Sequence, residues 1–396
     1  MKKARYLLAH GLRKLASRIM PRGHAQGITY PDLGSERLPN DAPRALIIYS
    51  ATGIDRYVRG VPLSDPIFNK HTIYWESVRM VQILNDAGYI VDYCDVWKPF
   101  SVDWKRYAIV IDNLNNLKDI PEELPIKKVY WATNNHWLTW NAAELRRLTW
   151  FRERTGITVP MARQLPSTLS DEYADHLTYF GTALQRDSFS QRPRGHCIPI
   201  SSCVLPPYKK KDLSVARNKF IWMGGGGLVH KGLDIVLEAF SRMPHAELYV
   251  VGNMQEEPRF WQWVQPLIAT HANIHPLGWM DLTSKEFCDI ADQCIATVYA
   301  SAAEGGPGTI ARLLHHGTIP IVTPESFVRA EVHGFQINGS TDQEMIASTM
   351  HLVEMVMRMP DGELHNASEK ARAFAKDNHT RHAFEKSFAS FIKEIM

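Results

Sequence analysis

The 396-residue sequence lacks the features that would commit it to a membrane, a metal or a polyanion. No apolar run reaches the roughly 20 residues that span a bilayer. The five cysteines (Cys94, Cys197, Cys203, Cys288, Cys294) form no Cys-x-x-Cys pair and no spacing typical of zinc. That pattern argues against a structural metal and fits a reducing cytosol. The formal net charge is only +3, so charge balance gives no reason to expect nucleic acid as a partner. There is no internal repeat and no low-complexity tract. What is present is 45% hydrophobic content over a length that calls for two domains.

Charge is segregated in one place. Residues 1–31 carry seven basic side chains, Lys2, Lys3, Arg5, Arg13, Lys14, Arg18 and Arg22, and no acid. Leu8, Leu12, Leu15 and Ile19 recur at helical spacing among them. This is the pattern of a basic amphipathic helix, which lies on an anionic membrane surface or packs on its own domain. No uninterrupted apolar stretch follows the charges, which argues against a signal peptide.

From Arg44 strand and helix alternate. Ala45–Ser50 reads as a strand, Ala51–Lys70 as a loop containing Gly53, Ile73–Asp86 as a helix stopped by Gly88, and Ile90–Cys94 as a second strand. Ala108–Asp112 and Val129–Ala132 follow as strands, with Asp175–Phe180 and Ile198–Ser201 as the last elements of this half. The rhythm predicts a parallel, doubly wound sheet, whose ligands lie at the carboxyl ends of its strands. His136 follows one such strand, where it either meets a ligand oxygen or plays a structural part, as the abundance of histidine, 17 in all, would allow. The helix Ala142–Thr155 carries Arg146, Arg147, Arg152 and Arg154, a row that reads as a solvated face before it reads as a phosphate contact.

Leu205–Asn218 has the composition of a linker. Strand Phe220–Met223 then leads into Gly224–Gly227, Leu228, Val229, His230, Lys231 and Gly232, and the helix Leu233–Phe240. Gly226 and Gly227 allow close approach of a ligand, and Lys231 adds a point charge. A dinucleotide fingerprint would need glycine at 229 or 230, and a phosphate loop would need Ser or Thr after the lysine; both are absent. Two more strands end at Gly252 and Gly278, and Trp279 beyond the second either meets a nucleobase or walls the cleft. The stretch Tyr299–Ser326 then places an acid, Glu304, before the turn Gly305–Gly308, a helix from about Thr309 to His316, and the strand Ile319–Thr323. A helix start with unpaired N–H groups can hold a diphosphate. Glu304 cannot bind phosphate; it either accepts sugar hydroxyls or caps the helix. Phe384, Phe388, Phe391 and Ile395 share one face of the last helix, and that face needs a partner.

Over residues 219–326 the order of strand, glycine turn, Lys231-Gly232, helix, Gly252, Gly278, Ser301-x-x-Glu304-Gly305, helix and Gly317-x-x-Pro320 resembles the retaining glycosyltransferases of family 4. The resemblance implies a GT-B fold, with two Rossmann-like doubly wound domains facing a central cleft and C-terminal helices crossing back. On that reading, residues 1–31 are a basic segment and 44–204 an acceptor domain. The linker is 205–218, the donor domain 219–366, and the returning helices 367–396. It implies that Lys231 binds the donor diphosphate, Glu304 the transferred sugar, and Gly305, Gly306 and Gly308 the phosphates. His136 would stand beside the donor sugar, and Gly53 would leave room for the diphosphate or acceptor. The implied reaction is retaining and needs neither cofactor nor metal. It moves a sugar from a nucleoside diphosphate to a glycan or lipid-linked acceptor of bacterial surface polysaccharide, such as lipopolysaccharide or capsule. The implied place is the cytoplasm, peripheral to the inner face of the membrane through residues 1–22. Two departures stand out: Arg312 where the family has a ribose-binding glutamate, and the run Gly224–Gly227 where it has a second diphosphate-binding arginine. They sustain two other readings, a catalytically inactive glycan-binding or scaffold subunit, and a sugar-nucleotide epimerase of the same fold.

Overall fold

The computed structural model describes residues 27–202, 205, 207–306, 308–326, 328 and 334–396. The basic segment expected over residues 1–31 therefore lies almost entirely outside the described residues, as do Cys203 and Pro307. No helix among the described residues is long and apolar enough to cross a membrane.

The first sheet has seven strands in the order β1-β3-β2-β4-β5-β6-β7: Tyr30–Leu33, Arg44–Tyr49, Ile90–Asp95, Ile109–Asp112, Lys127–Trp131, His176–Tyr179 and Arg194–Cys197 are β1 to β7. All pairings are parallel except that of β1 with β3. The second sheet is wholly parallel, with the order β10-β9-β8-β11-β12-β13. Its strands are β8 (Lys219–Met223), β9 (Glu247–Val251), β10 (Ile274–Gly278), β11 (Ala296–Tyr299), β12 (Ile319–Val322) and β13 (Phe335–Gln336). In each sheet the order reverses beside the first parallel strand, β2 or β8, and that reversal opens a crevice at the carboxyl ends of the strands.

Four helices matter to the first half and to its junction with the second: α1 (Thr52–Val58), α2 (Thr72–Asp86), α3 (Trp137–Thr155) and, in the second half, α4 (Leu233–Ser241). The loop expected at 51–70 contains α1. Gly53 explains how: a Cβ there would sit 2.1 Å from the Tyr74 carbonyl oxygen, so α1 lies directly on α2. The room that the resemblance assigned to a ligand at Gly53 is thus filled by helix backbone. The last strand of the first sheet is β7, ahead of the expected Ile198–Ser201. β7 is an edge strand with mostly exposed residues, so it carries no apolar signal, whereas Ile198 and Ile200 are buried beyond it.

Besides three short helices at Ser170–Tyr173, Ala183–Asp187 and Leu213–Ala216, the remaining helices are α5 (Pro258–Thr270), α6 (Lys285–Gln293), α7 (Gly308–His315), α8 (Asp342–Arg358), α9 (Asp361–Asn378) and α10 (Arg381–Ile395). Thr341 caps α8 by accepting from the Glu344 N–H at 3.2 Å, the start that the Thr-x-x-Glu spacing predicts. The linker composition ends in packed structure. The Lys211 ammonium is buried and donates to the Ala291 and Asp292 carbonyls at the end of α6, 2.7 and 3.1 Å away. Burial pulls its pKa down to about 8.

Two helices are exchanged between the cores. The apolar face of α10 (Phe384, Phe388, Phe391, Ile392, Ile395) is buried in the core of the first sheet against Trp75 and Trp131. In return, α3, encoded in the first half, buries Phe151 in the core of the second, 5.9 Å from the Phe260 ring and 5.2 Å from that of Trp263. The arginine row on α3 is consequently divided: Arg146 and Arg152 are exposed, as a solvated face requires, and the other two are not. Arg154 pairs with Asp234 and Asp342, and Arg147 is buried and donates to the Ala300 carbonyl at 2.7 Å.

Candidate active site

The loops leaving β8 and β11 are laced together. His230 presents its carbonyl to the Ala302 N–H at 2.8 Å and its Nε2–H to the Ala303 carbonyl at 2.7 Å. Burial lowers its pKa to about 4, so the ring is neutral at pH 7 with its proton on Nε2. Gly232, at φ +68°, lies against the Ala300 carbonyl where a Cβ would clash at 2.0 Å. These contacts fix the positions of Lys231 and Glu304.

Lys231 and Glu304 form a buried ion pair, with Nζ 2.8 Å from Oε1. Tyr299, the last residue of β11, closes a triangle with them. Lys231 Nζ donates to its hydroxyl at 2.9 Å, and the hydroxyl donates to Glu304 Oε1 at 2.6 Å. Ser301 Oγ reaches the same oxygen at 3.3 Å. Burial alone would raise the Glu304 pKa, but the Lys231 charge and the Tyr299 hydroxyl overcome it and hold the carboxyl at about 2. All three bonds fall on Oε1, so Oε2 is the oxygen left to accept from a ligand. A carboxylate already charged and oriented needs no reorganisation to do so.

Each glycine of the 224–227 run has its own surroundings. At Gly224 a Cβ would lie 3.1 Å from the Lys231 side chain, and at Gly227, with φ +83°, 2.3 Å from Arg163 Cγ. Gly225 has open space beside it, and Gly226 has only Glu257 Oε1 at 3.8 Å. The Gly227 and Leu228 N–H groups donate to Glu257 at 2.5 and 3.1 Å.

The other expected residues divide by where they fall. A Cβ on Gly305 would lie 1.7 Å from the Thr133 carbonyl oxygen, and one on Gly306 3.0 Å from Phe180 Cβ. The turn is therefore seated against the first domain, and Gly308 opens α7 beyond it. Gly252 and Gly278 bridge each other, with Gly252 N–H donating to the Gly278 carbonyl at 2.9 Å. Trp279 is 75% exposed at the edge strand β10, away from the strands that carry the ion pair. Arg312 is buried on α7 and donates to the Leu282 carbonyl at 2.9 Å. His136 is turned into its own domain: it caps α3 by accepting from the Leu138 N–H at 3.3 Å, and its Nε2 lies 3.8 Å from Asp171.

Sequence reading missed Tyr299, Trp140, Arg163 and Glu257. A tyrosine ending a fully buried strand is itself a signal, since its hydroxyl must find a partner. Trp140 and Arg163 are ordinary helix and loop residues until the halves are brought together, and Glu257 is one until its loop meets the Gly227 turn of the same half.

No family model matches the sequence, and no curated protein matches it. Solved structures do. HepE of Anabaena, in complex with UDP and glucose, is 12% identical, with a TM-score of 0.55 over 89% of this chain and 100% of that one. The fold is GT-B. Sucrose-phosphate synthase from Thermosynechococcus elongatus is 11% identical at TM-score 0.54 over 89% of this chain and 98% of its own. WaaG, a glycosyltransferase involved in lipopolysaccharide biosynthesis, is 14% identical at TM-score 0.51 over 88% of this chain and 99% of its own. Against the GtfA/B complex the chain matches 57% of the other chain's length, with TM-score 0.51 and 17% identity. In this GT-B chain the Lys231–Glu304 pair stands where the loops after β8 and β11 meet, at the carboxyl ends of adjacent strands of the second domain.

Proposed function

We propose that this chain is a glycosyltransferase that takes a sugar from a nucleoside diphosphate and transfers it, with retention of anomeric configuration, to a hydroxyl of a glycan or lipid-linked acceptor. The observation that carries the reading is the Lys231–Tyr299–Glu304 triangle in the crevice of a GT-B fold. Glu304 Oε2 accepts hydrogen bonds from the hydroxyls of the sugar being moved. Two of the three Lys231 ammonium donors are used within the triangle; the third is directed to the diphosphate as charge builds on the leaving group. The acceptor hydroxyl forms its bond to the anomeric carbon on the face from which the bond to the diphosphate breaks, and its proton passes to the departing phosphate oxygen. Fixed cations take the part that a metal would otherwise play, so the reaction is metal-independent on this reading. His136, as a helix cap, is given no step.

The resemblance to family 4 supports bacterial surface polysaccharide as the product, made at the inner face of the membrane with residues 1–22 as the peripheral contact. The HepE structures hold UDP with glucose, or UDP-glucose, so UDP-sugars lead the donors to be tried. The test is saturation-transfer NMR against UDP-, GDP-, ADP- and CMP-sugars. One nucleotide class should bind, Lys231→Ala should abolish binding, and Glu304→Ala should weaken the sugar signals while leaving those of the nucleotide. A folded protein that binds no donor would reject the transferase and leave the scaffold reading.

A further inference from the structure

Lys231 is neutralised in place by Glu304, so the pair brings no net charge to a diphosphate. A nucleoside diphosphate held in this crevice needs a second cation. Two neighbouring arginines are turned to other groups: Arg147 gives Nη2 to the Ala300 carbonyl, with Nη1 buried and unpaired, and Arg154 pairs with Asp234 and Asp342. Arg163 is different. It lies in the first-domain segment beyond α3, yet its side chain crosses to the glycine loop of the second domain, where the missing Cβ of Gly227 makes space for its Cγ.

The backbone of Arg163 is fastened at both ends. Its N–H and that of Ala162 donate to the buried Glu144 carboxylate at 2.8 and 2.9 Å, and its carbonyl accepts from Trp140 Nε1 at 2.6 Å. The guanidinium lies 5.7 Å from the centre of the Trp140 ring, and that ring lies against His230, 4.6 Å between centres and tilted by 33°. No side-chain hydrogen bond or ion pair is made by this guanidinium among the described residues, and its Nε is buried without a partner. The two nearby carboxylates hold backbone rather than the guanidinium: Glu144 accepts from residues 162 and 163 through Oε1, leaving Oε2 unpaired, and Glu257 accepts from residues 227 and 228. Arg163 is part-exposed, and its guanidinium rests against the Trp140 ring and keeps a buried Nε unpaired, so it is a cation at the crevice whose charge an anionic ligand can take.

We propose that Arg163 is the second diphosphate-binding cation of the donor site, supplied by the opposite domain through the gap left by Gly227. The inference rests on the glycosyltransferase reading. Its field is felt at Glu304, where it helps to keep the carboxyl ionised. Because its anchor is on the first domain, a diphosphate bound to it and to Lys231 bridges both domains.

The experiment is isothermal titration of UDP, GDP, ADP and inorganic pyrophosphate into the full chain, with UMP, GMP and AMP as single-phosphate probes. Arg163→Gln should weaken the nucleoside diphosphate that wild type binds by about tenfold or more, the loss of a charge-assisted hydrogen bond. It should change the matching monophosphate by less than twofold, and Arg163→Lys should recover part of the loss. Equal loss for diphosphate and monophosphate, or unchanged diphosphate binding in a folded variant, would overturn the proposal alone. A wild-type chain that binds none of the diphosphates would overturn the transferase reading and this inference with it.

Discussion

Glu76 is a buried carboxyl on α2 whose Oε1 accepts from the Ser201 N–H at 2.8 Å. Burial raises its pKa from 4.5 to about 7. The folded chain thus holds this proton more tightly than the unfolded one. Its contribution to stability is complete below pH 4.5 and lost as pH rises through 7, an effect of roughly 3 kcal/mol. Glu76→Gln keeps the acceptor and removes the titration, so the variant should be more stable than wild type at pH 8 and equal to it near pH 4.5. Urea denaturation across that range would show it, and parallel pH profiles would refute it. His230 and His315 act in the opposite sense, since burial lowers both to about 4 and their contribution is lost as pH falls below 6.5. At this scale the sequence shows Lys231 and Glu304, because each sits at a strand-to-helix turn with a local pattern. Arg163 and Trp140 have no such pattern, since what defines them is a neighbour at Gly227 or His230, more than 60 positions along the chain.

Among the elements, α3 departs furthest from its sequence expectation. The structure starts it at Trp137, five residues before the expected Ala142, because His136 caps it, and it belongs to both cores at once. Charge on one side reads as solvent exposure when the partner surface is hidden in a distant part of the chain. Arg147 and Arg154 are in fact held by groups of the second domain. Phe151→Ala, which opens a cavity between Phe260 and Trp263, should destabilise by about 3 to 5 kcal/mol. Chemical denaturation would measure it. A value under about 1 kcal/mol would mean that α3 is not part of the second core. The alternation of strand and helix in both halves was legible because buried parallel strands are continuous apolar runs. The edge strands β1, β7 and β13 were not, being short and partly exposed.

For the whole molecule, the seam between the domains is set by glycine. The Thr133 carbonyl lies where a Cβ of residue 305 would be, so Gly305→Ala must push the first domain off the turn. Small-angle scattering should find a larger radius of gyration for this variant than for wild type; an unchanged radius would mean that the turn yields locally and that the seam lies elsewhere. The two-domain plan followed from length and rhythm, and the return of the last helix from its row of phenylalanines. The reciprocal crossing of α3 had no such mark.

That crossing has a bearing on recombination. GT-B chains invite a cut between their halves, so that one donor-binding half can be grafted onto another acceptor half. Here a graft joined within residues 205–218 would bring in a second half whose core must accept Phe151 of the host's α3, and would leave the host's first core to be filled by a foreign α10. A functional hybrid of this protein must therefore carry matched pairs across the joint: α3 with the bed around Phe260 and Trp263, α10 with Trp75 and Trp131.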